Sequence, residues 1–250
     1  MQGESINAQL TYARSSVEML REAPSEKPAL TTYPPPETSK FRGIGTRICD
    51  PFFANSDIEK HIIRLSSSAP YDKVKKKPRF APFVAAGYFV VHSGFLAEVP
   101  FDPMLPWIFM GEEISMSARL WTAGYDLFSP NADVIGHMYV RRHKPKFWET
   151  FQRVFPKAIG GHNALQLMVL DRVKHTLGYP ESARHMIKEQ SLLYKVEHYG
   201  MGKQRKLEDY LGKVAGLDMV AKQNQNPLKW CHKGVPPPLE EFDHLRSLYE

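Results

Sequence analysis

The sequence predicts an α/β chain, a mixed sheet flanked by helices and followed by a helical C-terminal region. Three observations carry this. Residues 83–91 (FVAAGYFVV) form an apolar run between Pro82 and Ser93-Gly94. That is the composition of a strand buried on both faces. Residues 111–124 open on Gly111-Glu112-Glu113, place Ile114, Ala118 and Trp121 on one face, and end on Gly124. This is the pattern of an amphipathic helix with a C-terminal glycine cap. Strand-forming residues 125–128 follow at once, and beyond His143 the apolar residues recur at helical spacing.

Taken in order, residues 5–22 carry Leu10, Ala13, Val17 and Leu20 at helical intervals, and Pro24 and Pro28 end that helix. Residues 29–33 read as a strand that Pro34-Pro35-Pro36 stops. Residues 44–53 and 62–66 are weaker strand segments. The lysine-rich run from Asp72 to Arg79 reads as a solvated loop or as a strap over a diphosphate. A second apolar run, Val134-Ile135-Gly136-His137, precedes two arginines. Helix-period apolar residues fill 147–155, 164–177, 183–196 and 207–214, with no strand signal of weight among them. The closing PPPLEEFDHLRSLYE reads as a loosely tethered end. The domain reading is a core over residues 1–143 and a helical region over 144–250 packed on it.

Composition is that of a soluble globular chain, with 42% hydrophobic and 24% charged residues. A net charge of +6 admits anionic partners such as a nucleotide sugar or nucleic acid, and equally a solvated basic surface. The basic residues neither line a reading helix nor alternate with aromatics, so nucleic acid is not expected as a partner. No signal peptide and no run of about 18 apolar residues is present, so no membrane partner is expected. The two cysteines, Cys49 and Cys231, make no disulfide framework or zinc signature, which leaves a reducing, cytoplasmic setting as the expectation.

The run GEEISMSARLWTAGYDLFSP (residues 111–130) and KPKFWE (residues 144–149), with LTTYPPP (30–36) and YGMGKQRKLEDYLGKVAGLD (199–218), are specific in combination. They resemble enzymes that transfer N-acetylglucosamine from UDP-GlcNAc to hydroxyproline on a cytoplasmic ubiquitin-ligase adaptor. The resemblance spans roughly residues 30–218. It implies a GT-A glycosyltransferase fold, UDP-GlcNAc as donor, an acceptor protein or peptide, and manganese or another divalent cation. The family places an Asp-x-Asp or similar acidic motif ahead of the TYPPP segment. No Asp-x-Asp or Asp-x-His occurs in this sequence. The chain is therefore expected to be an N-terminally incomplete GT-A domain. Rival readings are a non-catalytic acceptor-binding module and, further off, a basic nucleic-acid-binding protein.

The resemblance assigns His137 as a metal ligand, against the plain reading of a satisfied histidine at a strand end. Arg141 and Arg142 are placed on the diphosphate by their forked donors, or in an ordinary basic loop. Glu112 and Glu113 are the candidate catalytic pair, orienting sugar or acceptor hydroxyls. Alternatively they serve only the helix dipole, which favours carboxylates in a first turn. Trp107 and Trp121 both admit a core reading, and Trp107, on the Pro106 loop, is the better candidate for stacking on a sugar ring. Gly87 allows close approach of the donor sugar, or tight packing of the sheet.

Overall fold

The computed structural model describes residues 14–38, 46–57, 59–66, 77–140, 146–155, 161–225 and 227–249. In chain order the strands are β1 (Pro28–Thr32), β2 (Asp50–Phe53), β3 (Ile63–Ser66), β4 (Arg79–Phe80), β5 (Tyr88–Val91), β6 (Asp126–Ser129), β7 (Leu217–Asp218) and β8 (Gln223–Asn224). The helices are α1 (residues 14–22), α2 (Phe95–Glu98), α3 (Glu112–Thr122), α4 (Phe147–Val154), α5 (Gly161–Thr176), α6 (Val196–Tyr199), α7 (Leu207–Asp209) and α8 (Lys229–Lys233). No described helix is long and apolar enough to cross a membrane.

Four strands form one mixed sheet in the order β4–β6–β1–β5. β1 runs parallel to β6, with Leu30 opposite Phe128, and antiparallel to β5, with Leu30 opposite Val90. Side chains alternate across a strand, so the sheet separates two apolar clusters. Leu30, Phe128 and Tyr88 enter one; Ala29, Leu127 and Phe89 join the other. Helix α3 serves both, giving Ile114, Ala118 and Trp121 to the first and Leu120 to the second. Trp121 is core, as its spacing predicts.

The strand expected over 83–91 is shorter and lies elsewhere in the sheet. Only Tyr88–Val91 is extended and paired, at an edge, and β1 and β6 are the strands buried through most of their length. Phe83 and Ala85 are fully buried nevertheless. Their backbone finds side-chain acceptors: Val84 N donates to Ser117 Oγ (2.7 Å), Ala85 N to Thr31 Oγ1 (2.6 Å) and Ala86 N to Glu113 Oε1 (2.9 Å). Val84 and Ala85 are buried, and buried N–H groups need a partner; here Ser117 of α3 and Thr31 of β1 stand where a neighbouring strand would be.

β2 and β3 form a separate antiparallel hairpin whose turn holds Lys60 and His61 at positive φ. The turn is pinned by Lys174 Nζ on Lys60 O (2.6 Å) and by Tyr179 OH on His61 O (2.8 Å). Cys49, just before β2, is disulfide-bonded to Cys231 in α8, with Cα atoms 5.6 Å apart. The expectation from spacing is overturned here. A chain of this length folds back through a compact core, so separation in sequence does not separate the two thiols in space.

The C-terminal region departs from its expectation in three places. It contains a short antiparallel pair, β7 with β8. Residues 183–196 make the 3₁₀ turns Arg184–Met186 and Gln190–Leu193 rather than one helix. Arg172, from α5, is fully buried and donates to the Leu192 carbonyl, which a side chain thus satisfies in place of a helical ladder. The closing segment is docked, not loose. Its 3₁₀ helix Glu240–Leu248 buries Phe242, Tyr249 follows, and both rings lie 5.5 Å from Phe80. Tyr249 OH donates to Pro78 O (3.0 Å). The larger core cluster thus draws on Leu30 and Ile114 early in the chain and on Val173, Tyr210 and Trp230 late in it.

Candidate functional site

A cavity of about 280 Å³ opens where the end of β1, the start of α3, β3 and the segment around His137 converge. β1 ends at Thr32, and the three prolines that stop it direct the chain past residues 137–139. Pro36 and His137 form an isolated parallel bridge, with His137 N donating to Pro35 O (2.8 Å) and Glu37 N to His137 O (3.0 Å). Tyr139 OH donates to Pro34 O (2.7 Å), and the His137 and Tyr139 rings lie 4.3 Å apart. The TYPPP segment is thereby the scaffold that brings His137 to the cavity.

Helix α3 starts at Glu112 because Gly111 adopts φ 93°. A Cβ there would also press on Ile62 and Val173, at 3.2 and 3.3 Å, so only glycine fits both the turn and the packing. The two glutamates that follow are in different states. Glu113 is engaged on both oxygens, by Tyr33 OH and by Ala86 N (2.9 Å). Burial and the Glu113 charge hold the Tyr33 phenol well above its ordinary range, so it stays a donor. Glu112 has an Oε2 that is buried without a hydrogen-bond partner. Burial pushes its pKa up to about 7, opposed by a backbone hydrogen bond and reinforced by the charge of Glu113.

Gly87 lines the cavity, but its own constraint is the packing reading. A Cβ at Gly87 would fall 2.6 Å from Pro34 Cδ. Trp107 does not line this cavity; it stacks on Phe151 (5.6 Å, 23°) and meets Phe147 and Phe155 edge-on or tilted, sealing α4 to the loop before α3. Arg141 and Arg142 lie outside the described residues. Among the lining residues that sequence reasoning missed are Tyr33, Arg64, Phe109 and Tyr139. Tyr33 sits inside the TYPPP motif, which could have flagged it. Arg64, on a weak strand, carried no signal.

The described residues do not by themselves form a metal cage. No group of three His, Cys, Asp or Glu side chains suited to a cation occurs among them. Glu113 is committed to Tyr33 and Ala86, which leaves His137 and Glu112 as the ligand types on this cavity.

Together these features define a mixed α/β protein with a cavity at a helix start that carries two glutamates, Arg64, His137 and two tyrosines. The particular family follows from comparison with known proteins: the chain belongs to the GlcNAc glycosyltransferase family, whose model matches residues 9–221. A comparison with curated proteins finds no match. The chain is thus glycosyltransferase-like, and its family works on a sugar donor and an acceptor.

Proposed function

We propose that the cavity transfers N-acetylglucosamine from UDP-GlcNAc to a hydroxyl of a protein or peptide, hydroxyproline being the acceptor that the resemblance implies, within a GT-A fold. The observation that carries the reading is Glu112, a carboxyl poised near neutrality with an uncommitted buried oxygen, in a chain of this family. A general base works best when its pKa lies near the operating pH. Ionised Glu112 accepts the acceptor hydroxyl's proton as that oxygen bonds to the anomeric carbon. The bond from that carbon to the diphosphate breaks, and its electron pair leaves with UDP. Glu113 is a positioning residue: it fixes the Tyr33 hydroxyl and the Ala86 backbone N–H beside the reacting groups.

Arg64 is the cation among the lining residues, and its forked donors suit the diphosphate. Arg141 and Arg142 are proposed for the same diphosphate. Manganese or another divalent cation remains part of the proposal, with His137 as one ligand and phosphate oxygens as others; no step above passes through it. The cytoplasmic setting that the resemblance implies requires Cys49 and Cys231 to be reduced in the cell, since disulfides persist chiefly in oxidising compartments.

The test is UDP release from UDP-GlcNAc with a hydroxyproline peptide, set against UDP-glucose and a proline peptide. Loss of the base in Glu112→Gln should lower turnover by about 10²- to 10⁴-fold. A folded wild type that releases no UDP, or a Gln variant that turns over normally, refutes the assignment.

A further inference from the structure

A second cavity, about 440 Å³, lies on the other side of the two glutamates and shares Ala86, Glu112 and Glu113 with the first. Its remaining wall is largely apolar, built from Phe89, Phe101, Leu105, Ile108 and Met116. Ser115 and two charged residues also line it, and both charged groups are committed elsewhere. Asp102 holds Arg172 at 2.7 and 3.2 Å, and Arg119 donates to Pro100 O (2.5 Å) and Gly200 O (3.2 Å). Glu113 is likewise engaged. The uncommitted polar atom in the wall between the cavities is Glu112 Oε2.

A largely apolar chamber whose polar groups not committed elsewhere are the Ser115 hydroxyl and the unsatisfied Glu112 Oε2 selects a ligand with an apolar body and a hydrogen-bond donor at its end. From this we infer that the second cavity is an acceptor subsite, taking an apolar group that bears a hydroxyl and presenting that hydroxyl to Glu112. The inference rests on the transfer reading, and it adds which side of the glutamates the acceptor enters. The donor then occupies the cavity of Arg64 and His137, and Glu112 stands between the two substrates.

The experiment uses the full chain and two probes of matched shape, benzyl alcohol and toluene, without any nucleotide sugar. Binding is read from the Met116 methyl signal in ¹H–¹³C spectra. Benzyl alcohol should bind about tenfold more tightly than toluene, the size expected of one hydrogen bond to a charged group. Glu112→Leu should abolish that preference while toluene still binds. Met116→Trp, checked for folding by near-ultraviolet circular dichroism, should exclude both probes. Equal affinities in the wild type, an unmoved Met116 signal, or a Trp variant that binds as before would each overturn the inference. Probe binding needs no turnover, so the two readings fail separately. Alcohol preference without UDP release sinks only the donor assignment; UDP release without alcohol binding sinks only the subsite.

Discussion

Glu112→Gln separates two opposed effects at one position. A carboxylate in the first turn of a helix gains about 0.3–1 kcal/mol from the helix dipole, which is what the sequence leads one to expect at Glu112. In the folded chain burial outweighs that gain, since the carboxyl is pushed from its ordinary 4.5 up to about 7. Between those two values the folded chain holds a proton that the unfolded chain has released. Stability from this group is therefore full below 4.5 and is lost as pH rises through 7. The gap corresponds to about 3 kcal/mol of stability lost between acid and alkaline pH. Glutamine keeps the shape and carries no proton to lose. Urea unfolding of both proteins at pH 5 and pH 8.5 should show the variant gaining on the wild type by about 3 kcal/mol at the higher pH. If the two run parallel with pH, or the variant is less stable by the dipole's few tenths throughout, the burial argument fails.

Two further perturbations test the frame around the site. Reducing Cys49–Cys231 releases a loop of 182 residues, and chain entropy sets the loss at about 5 kcal/mol, read as a lowered denaturation midpoint with reductant that a double alanine variant reproduces without it. Arg172→Ala strands the buried Asp102 carboxylate, whose side chain is 3% exposed, and should lower the unfolding free energy by about 3–5 kcal/mol; a loss below 1 kcal/mol would mean that the pair is not desolvated.

How much of this was legible depended on whether the signal was local. Helix α3 was readable to within a residue, because its capping glycines and its Ile114, Ala118 and Trp121 face are set by its own sequence. β1 and β6 were readable to within a residue at each end, each a short β-forming stretch with a proline soon after it, Pro34 and Pro130. The segment 83–91 misled because composition reports burial, and burial here comes from packing under α3 rather than from strand pairing on both sides. The disulfide, the docking of Tyr249 on Pro78 and the Arg172–Asp102 pair join residues far apart in sequence, and no local pattern encodes them. At the site, the glutamates and His137 were found by motif. The contact of Trp107 with the rings of Phe147, Phe151 and Phe155, in α4 and at its end, was not legible, because those rings lie 40 to 48 positions further along the chain.

The difference between the two glutamates is of the same non-local kind, and it shapes the chemistry. Adjacent residues on a helix point about 100° apart. One step along α3 therefore decides that Glu113 meets Ala86 N and Tyr33, while Glu112 Oε2 meets no donor. Glu113 is tied into the fold, since its removal would leave a backbone N–H and a half-buried phenol short of a partner. Glu112 satisfies nothing with that oxygen, and burying it raises the free energy of its charged form. A group held in an unfavourable environment without structural return is a mark of a functional position. By that reasoning Glu113 variants should fail first in stability, and Glu112 variants first in turnover.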